Sequence, residues 1–507
     1  MAVDARADLI AGKWHISGPP DFLRRVRRHF ARADDNGMVV LSHTNEVCRD
    51  LEWFQHRYPF KVSHQALLDG RAALHREQEE TRLELFAGER TPAHFDLAVP
   101  ARDYQRIAAD VALQVGGILC ADVLGLGKSA TGLCMLAPLE SRPALVVTMT
   151  HLPKQWVREI NKFLPGLTSH IVTKGTPYRN LGGKRPGELP DILIINYHKL
   201  RGWAAYLAGK IKAVVYDEIQ ELRRPDAQKY QAAELISDTT HYRMGLSATP
   251  VLNYGGEIYD VLRLVRPEAL GSKEEFLREW CNSFYGGATK ARLKDPRAFG
   301  EHCRREGLII RRTREDVGRE LPPVSIIPYD IDHNPEALRE VENDLRALAR
   351  VLLDSSSSFH SKGMATRELD MRLRQSTGIS KAPFVAEFVR LCVESGEKVV
   401  LFGWHRACYE IWMAILEEYK PVLYTGSESP TQKQAALDAF IEGDSQIIII
   451  SLRSGAGING LQEVCSTVVF GELDWSPRVH DQCIGRCNRD GQKGPVNAYY
   501  LLSSEGS

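Results

Sequence analysis

The chain lacks several features that would mark a secreted, membrane or fibrous protein. Its 10 cysteines include no C-x-x-C pair, and no group of Cys or His completes a zinc site. No apolar run approaches the roughly 18 residues of a membrane-spanning helix. The N-terminus has no basic start followed by an apolar stretch, as a signal peptide would. The sequence therefore predicts an intracellular protein with reduced thiols and no contact with membranes.

An excess of charge of one sign is also missing. The 507 residues contain 65 Lys and Arg against 65 Asp and Glu. This balance excludes a uniformly basic DNA-coating protein, but it allows a local basic cleft between acidic outer faces. A chain of this length predicts about two to four domains with substantial cores.

Short, nearly continuous apolar runs recur in both halves of the chain, and stretches with helical periodicity separate them. Such runs are typical of parallel strands that are covered on both faces of a sheet. We therefore predict an α/β fold with two lobes. The runs are residues 118–120, 144–147, 192–195, 213–216, 399–402, 447–450, 468–470 and 499–502.

The segment between the two series of runs is helical and charged over residues 271–320 and again over 335–375. Paired prolines stop a helix, so Leu321-Pro322-Pro323 predicts the start of a linker between the lobes. We place the first lobe, with a helical protrusion, at residues 96–325 and the second lobe at 326–507.

Residues 1–95 form a separate piece, which we predict to be a small α+β accessory domain. Two strands are expected, at Lys13–Ile16 and Met38–Leu41, together with three helices. One of these helices is rich in arginine, which predicts either a DNA-binding patch or a solvated face. The arginines are Arg24, Arg25, Arg27, Arg28 and Arg32.

The most informative motif is the segment 121–129, A-D-V-L-G-L-G-K-S, directly after a predicted strand and before a helix. Glycines allow backbone N–H groups to surround phosphate oxygens at a helix N-terminus. In such loops a Lys reaches the β- and γ-phosphates and a hydroxyl coordinates Mg²⁺, which points to Lys128 and Ser129. Asp122 stands where the usual pattern has Gly. The alternative is an ordinary helix cap.

An acidic pair, Asp217-Glu218, ends the apolar run at 213–216. An Asp at the end of a strand can hold Mg²⁺, and an adjacent Glu can orient or deprotonate the attacking water. The alternative is a solvated strand end. The place of this acidic pair after the phosphate loop in the sequence favours the functional interpretation.

Two arginines in the second half, Arg486 and Arg489, are spaced i, i+3. On a helix they would share one face and could neutralise charge on a γ-phosphate, as arginine fingers do. The alternative is a pair of surface arginines with structural partners.

These motifs resemble those of the SWI/SNF-type ATPases of helicase superfamily 2. The phosphate loop is similar to that family's D-E-M-G-L-G-K-T, which also has Asp at the position of Asp122. The resemblance runs in order from about residue 96 to 502. The sequence departs from the family pattern at four positions, Val123, Ile219, Asn488 and Asp490. The other similar segments are residues 101–105, 153–163, 217–220, 246–250, 308–317, 474–477 and 482–492.

The resemblance implies two RecA-like lobes, with parallel sheets flanked by helices and with helical insertions, that bind ATP and Mg²⁺. Lys128 and Ser129 would hold phosphate and Mg²⁺, Asp217 would bind Mg²⁺, and Glu218 would position water. Arg486 and Arg489 would complete the site from the second lobe. The other implied nucleotide-binding residues are Gln105, which would read adenine, Asp122, Gly125, Leu126, Gly127, Gly457 and Gln482.

The same resemblance implies DNA as the partner, with double-stranded or forked DNA favoured and contacts made mostly to phosphates. The family touches the DNA backbone at strand ends, which here correspond to Thr148, Asn196, Tyr197, Trp404 and Ser451. Trp404 could instead be packed between the lobes.

The expected function is that of an ATP-dependent DNA translocase, a monomer in the cytoplasm of a bacterial or phage-infected cell. The N-terminal piece is similar to the DNA-junction module of the family's fork-remodelling branch. One alternative is a strand-separating helicase. The other is a DNA-binding module with an idle motor, because the chain ends at residues 503–507 where the family continues into a helix.

Overall fold

The computed structural model consists of two compact units, Met1–Val317 and Gly318–Ser507. The first unit contains a small N-terminal sheet and a large parallel sheet, and the second contains another parallel sheet. The residues that the structure describes are 4–33, 38–183, 188–248, 255–282, 291–318, 321–336, 339, 359–452 and 458–503.

The N-terminal α+β domain has four strands, β1 (Arg6–Ile10), β2 (Lys13–Ser17), β3 (Val39–Ser42) and β4 (Lys61–Val62). Their order is β3-β2-β1-β4, and only the β1–β4 pair is parallel. The helices are α1 (Pro20–His29), α2 (Asn45–Arg57) and α3 (Gln65–Ala87). Trp14 and Phe54 lie fully buried in the core between sheet and helices. The sequence predicted β2, β3 and the three helices, whereas β1 and β4 were missed.

The large sheet of the first unit has the order β11-β5-β10-β9-β6-β8-β7, and every pair in it is parallel. Successive residues of β6 alternate between two hydrophobic clusters, with Leu145 and Val147 on one face and Ala144 and Val146 on the other. This burial on both faces explains why the strands are apolar throughout. The strands are β5 (Gly117–Cys120), β6 (Ala144–Thr148), β7 (Ser169–Ile171), β8 (Ile192–Asn196), β9 (Ala213–Asp217), β10 (Tyr242–Leu246) and β11 (Ile309–Ile310).

Helices connect these strands and cover both faces of the sheet. The predicted helical segment 271–320 contains the last two of them. The helices are α4 (Asp103–Val115), α5 (Lys128–Leu136), α6 (Pro153–Phe163), α7 (Tyr197–Leu207), α8 (Gln228–Thr239), α9 (Glu257–Val265), α10 (Lys273–Trp280) and α11 (Pro296–Arg305).

The second unit contains a six-stranded sheet of the order β12-β17-β16-β13-β15-β14, again entirely parallel. Its two faces are covered by separate clusters around Phe440 and Trp412. The strands are β12 (Val324–Asp330), β13 (Val399–Gly403), β14 (Val422–Tyr424), β15 (Ile447–Ser451), β16 (Thr467–Phe470) and β17 (Val496–Leu502). The helices are α12 (Phe359–Glu394), α13 (Arg406–Ile415), α14 (Pro430–Ile441), α15 (Leu461–Val464) and α16 (Pro477–Ile484).

The predicted architecture of two parallel sheets flanked by helices, preceded by a small α+β domain, is confirmed. All eight apolar runs lie in strands. The units divide after Val317, a few residues before the predicted linker, and β12 begins directly after Pro322-Pro323. All ten cysteines are free. In the part of the chain that the structure describes, no helix has the length and apolar character needed to cross a membrane.

Candidate active site

The loop between β5 and α5 depends on two glycines in the left-handed region. Gly125 has φ 88° and Gly127 has φ 69°, so a side chain at either position would strain the backbone. A Cβ on Gly127 would also lie 2.7 Å from Nε2 of Gln105. Helix α5 begins at the next residue, Lys128. The loop therefore ends at the N-terminus of a nine-residue helix, the geometry that favours bound phosphate.

Lys128 is directed back into this loop. Its Nζ donates to the carbonyl oxygens of Asp122, at 2.9 Å, and of Val123, at 3.4 Å. Ser129 follows it in the first turn of α5, and both residues are half-buried. The ammonium is therefore held by neutral carbonyl groups, which anionic phosphate oxygens can replace.

Two side chains at the start of α4, Tyr104 and Gln105, donate hydrogen bonds to the loop. The Tyr104 hydroxyl donates to the Leu126 carbonyl at 2.9 Å, and Nε2 of Gln105 donates to the same oxygen at 3.0 Å. Oε1 of Gln105 accepts from the backbone N–H of Arg102. The side chain predicted to read adenine is therefore buried and bonded to the loop itself in this structure.

The carboxylate of Asp122, which the sequence analysis assigned to nucleotide binding, is bonded to Arg312 in this structure. It is fully buried and accepts from Nη2 of Arg312 at 2.7 Å and from Nε of Arg312 at 3.0 Å. The backbone N–H of Arg312 also donates to it. The carboxylate is thus occupied inside the protein, so Asp122 positions the loop. The sequence analysis noted residues 308–317 as a family segment without assigning this role to Arg312.

The acidic pair lies at the carboxyl end of β9. Oδ2 of Asp217 accepts from Oγ1 of Thr148 and from Nε1 of Trp156, each at 2.8 Å. Burial raises the pKa of Asp217, and these two hydrogen bonds and the charge of Lys128 oppose that rise. Trp156 was missed as a site residue, although the similar segment 153–163 contains it.

Glu218 follows in the left-handed conformation, with φ 55°, which is uncommon for a residue with a side chain. Oε2 accepts from Nε2 of Gln220 at 2.5 Å. Burial and the charge of Asp217 raise its pKa. A carboxylate with a raised pKa, next to a phosphate loop, is suited to orient or accept a proton from water.

The arginines of the second unit do not lie on a helix as predicted. Helix α16 ends at Ile484, and the following residues form turns. Arg486 is buried with its guanidinium 5.3 Å from the centroid of the Phe402 ring, whereas Nη1 of Arg489 donates to the carbonyl of Ile458 at 2.9 Å. The prediction that the two arginines share one face of a helix is therefore wrong, because α16 ends before either of them.

Two other predicted nucleotide-binding residues belong to the second unit. Gln482 lies half-buried on α16. Gly457 lies outside the described residues, as do Thr249 and Pro250 of the segment after β10. Asn488, which departs from the family pattern, donates from Nδ2 to the carbonyl of Pro322 at 2.8 Å.

Of the predicted DNA-contacting residues, only Trp404 is exposed, with 43% of its surface accessible. Thr148 bonds Asp217, and the hydroxyl of the buried Tyr197 donates to the Asp217 carbonyl at 2.8 Å. Asn196 caps α7 through the N–H of Lys199, and Ser451 is buried at the end of β15. These four side chains are covered by the protein, so their direct contact with DNA stays a prediction.

A parallel sheet with a phosphate loop after one strand and an acidic pair after another defines a nucleoside triphosphatase of the phosphate-loop class. The family model of the SNF2-related domain matches residues 40–376, and that of the helicase conserved C-terminal domain matches residues 380–491. The chain belongs to the SNF2-related family. The family predicted from the motifs is thereby confirmed.

The chain is similar to curated proteins of this family. It is 25% identical to "SWI/SNF-related matrix-associated actin-dependent regulator of chromatin subfamily A-like protein 1" of Xenopus laevis, over 79% of this chain and 41% of that protein. It is 24% identical to "DNA annealing helicase and endonuclease ZRANB3" of Mus musculus, over 77% of this chain and 37% of that protein. The chain thus spans about two fifths of the length of these relatives.

Among solved structures, the chain resembles the "Sulfolobus solfataricus SWI2/SNF2 ATPase core in complex with dsDNA". The identity is 22%, the TM-score is 0.41, and the match covers 82% of this chain and 90% of that one.

Proposed function

We propose that this chain is an ATP-dependent DNA translocase of the SWI/SNF type that moves along or remodels double-stranded or forked DNA. One observation carries the proposal. Cys120, the last residue of β5 before the phosphate loop, and Asp217, the last residue of β9, both pair with Leu246 of β10, so the loop that carries Lys128 and the acidic pair Asp217-Glu218 leave the sheet at the same edge. A cation for phosphate and a pair of acids for metal and water therefore share one edge of the sheet.

The donor set of this edge fits Mg²⁺. Both hydrogen bonds to the Asp217 carboxylate end on Oδ2, so Oδ1 is the oxygen through which it would hold the cation. The hydroxyl of Ser129 is the second ligand proposed. When bound, Mg²⁺ would neutralise charge on the phosphate oxygens. Thr148 and Trp156 fix the orientation of the Asp217 carboxylate before any metal arrives.

The remaining residues have roles that follow from their positions. Lys128 exchanges the carbonyls of Asp122 and Val123 for phosphate oxygens, and Glu218 positions the attacking water. Gln105 contacts adenine only after its amide leaves the Leu126 carbonyl. Backbone groups of Gly125, Leu126 and Gly127 surround the phosphates.

Residues of the second unit complete hydrolysis in this proposal. Nη1 of Arg486 is buried and has no hydrogen-bond partner among the residues that the structure describes, so it is available to a phosphate oxygen. Arg489, Gln482 and Gly457 are proposed as its companions. Trp404 is the residue that we expect to touch DNA, because its ring is exposed.

The test is ATP hydrolysis by the full chain without DNA and with single-stranded, double-stranded and forked DNA. We expect strong stimulation by duplex or forked DNA and displacement of a triplex-forming strand from a duplex. Stimulation by single strands alone, with unwinding of a fork, would favour a strand-separating helicase. DNA binding without any hydrolysis would favour an idle motor.

Two variants assign the activity to this site. Lys128→Ala removes the phosphate cation and should abolish hydrolysis while the protein stays folded. Lys210→Ala removes an exposed lysine in the turn after α7 of the same unit and should leave the rate unchanged. Retained hydrolysis in a folded Lys128→Ala protein would exclude this site assignment.

A further inference from the structure

The first unit contains a cavity of about 680 Å³ at the end of the large sheet opposite to the phosphate loop. Arg243 lines it near the amino end of β10, and Val115 lines it just before β5 begins. The N-terminal domain contributes Arg71 and Arg82 from α3. The volume is that of a small-molecule site, which typically measures about 300–1,000 Å³. It lies between the N-terminal domain and the sheet, away from the proposed hydrolysis site.

Each carboxylate that lines this cavity already has its own cation. Glu46 pairs with Arg32 at 2.9 Å, and Glu306 pairs with Arg305 at 3.5 Å. The other two pairs are Asp238 with Arg263, at 2.9 Å, and Glu268 with Arg71, at 3.8 Å. The acidic residues are therefore neutralised without using the remaining cations of the lining.

Three arginines of the lining stay without a carboxylate within ion-pair distance among the described residues. Arg82 donates from Nε and Nη2 to the carbonyl of Arg305, and Arg243 donates to the carbonyls of Ser237 and Gly116. Arg266 makes neither a side-chain hydrogen bond nor an ion pair with any part of the chain that the structure covers, and its Nη1 is buried.

This arrangement is costly in the absence of a ligand. Burial and then the charges of Arg82 and Arg243 lower the pKa of Arg266 to about 10. Burial similarly lowers the pKa of Arg82 and of Arg243. The guanidinium of Arg266 stays protonated at neutral pH even so, because a pKa of about 10 lies well above 7. Arg82 is buried, and Arg243 and Arg266 are half-buried. A guanidinium that is withdrawn from water without a carboxylate partner destabilises a fold unless an anion compensates it.

We propose that this cavity binds a small phosphorylated anion through Arg82, Arg243 and Arg266. Phosphate is favoured because its two or more charges match several guanidiniums, and each planar fork can bind two of its oxygens. The bound anion would connect α3 of the N-terminal domain to β10 and α9 of the ATPase sheet. The proposal does not depend on ATP hydrolysis or on DNA translocation.

The first test is isothermal titration calorimetry of the full chain with inorganic pyrophosphate. Because pyrophosphate can also enter the phosphate loop, the titration is made in a Lys128→Ala background. We expect one saturable site there, weakened by about tenfold or more when Arg266→Met is added. Arg297→Met, which removes an arginine that is 91% exposed on α11, serves as the matched control. Absence of saturable binding in the Lys128→Ala protein would overturn the proposal.

The second test separates a ligand-binding role from a structural role. Without ligand, Arg266→Met should raise the midpoint of thermal unfolding, because it removes an uncompensated charge. With pyrophosphate, the wild-type midpoint should rise and that of the variant should not. A lower midpoint for a folded variant without ligand would contradict the proposal. If Arg266→Met does not fold, the smaller change Arg243→Gln gives the same comparison by calorimetry.

The phosphate can come from a soluble metabolite or from a DNA end. Duplexes with a 5′-phosphate and with a 5′-hydroxyl are therefore compared for binding. A preference for the 5′-phosphate that Arg266→Met removes would assign DNA ends as the source. Equal binding of both duplexes, with pyrophosphate binding retained, would assign a soluble anion.

Discussion

Arg312 holds Asp122 across 190 residues of sequence through two side-chain hydrogen bonds, Nη2 to Oδ2 at 2.7 Å and Nε to Oδ1 at 3.0 Å. The pair joins the segment after β11 to the loop after β5. The neighbouring backbone reinforces it, because the N–H of Val123 donates to the carbonyl of Arg312 at 3.1 Å. The phosphate loop is thus fixed by a distant strand and not by its own residues alone.

Breaking this pair should destabilise the first unit strongly. Arg312→Gln leaves the carboxylate of Asp122, which is 1% exposed, without its counter-ion. Loss of one partner of a buried pair costs about 3–5 kcal/mol. Urea unfolding of Arg312→Gln, Asp122→Asn and the double variant measures the coupling, which we expect to lie at roughly 1–3 kcal/mol.

The exposed pair Arg297–Glu301 on α11 provides the control, with side chains that are 91% and 62% exposed. Its removal should change the free energy of unfolding by about 0.5 kcal/mol or less. Equal effects for the two pairs would show that the Asp122–Arg312 contact does not fix the loop.

The indole of Trp156 is predicted to affect catalysis through Asp217. Trp156→Phe keeps most of the buried ring but removes the hydrogen bond from Nε1 to Oδ2. A hydrogen bond to a charged group contributes about 1.5–3 kcal/mol, so a tenfold or larger loss of hydrolysis is expected. The steady-state rate of ATP hydrolysis at saturating duplex DNA measures this loss.

Trp203 is a matched control for this variant. It is fully buried in the same unit, and its Nε1 donates to the carbonyl of Lys174 at 2.9 Å. Trp203→Phe should lower stability by a similar amount and leave the rate per folded molecule unchanged. Equal losses of rate in both variants would show that Trp156→Phe acts through general destabilisation and not through Asp217.

Strands that are buried on both faces could be predicted from the sequence, because such burial requires apolar residues throughout. The largely exposed strand β12 was missed although it has seven residues, and the shortest strands were missed as well. β4 has two residues, Lys61–Val62, and β11 has two, Ile309–Ile310. Such strands exist because a neighbouring strand offers hydrogen-bonding groups, and a local pattern does not contain that information.

The candidate site was predictable to a similar extent. Asp217 ends β9, Glu218 follows it, and Lys128 begins the helix after the loop that leaves β5, so the sheet determines where they lie. The partner of Asp122 is 190 residues away and could not be inferred from spacing. The end of α16 at Ile484 does coincide with a local signal, because the next residue is Gly485 and glycine often follows the last residue of a helix.

Acid should weaken the contact between the N-terminal domain and the first parallel sheet. Burial alone would raise the pKa of Glu306, but the hydrogen bond and charge of His75 outweigh it, and its pKa falls from 4.5 to about 2. A carboxyl group whose pKa is lower in the folded state stabilises the fold when ionised. This stabilisation is present above about pH 4.5 and is lost as the pH falls towards 2.

The expected size of this effect is about 3 kcal/mol, from roughly 1.4 kcal/mol per pKa unit for a side chain that is only 6% exposed. Urea unfolding at about pH 5.5 and at about pH 3 should show about 2 kcal/mol of it, because at pH 3 the carboxyl group of the folded protein is still mostly ionised. Glu306→Gln should be less stable at the higher pH and should lose most of the difference between the two pH values. Glu301→Gln, on α11 and 62% exposed, should retain the wild-type difference. Glu306→Gln removes only this one titrating group. An unchanged pH dependence in the variant would therefore show that other carboxyl groups cause the acid sensitivity.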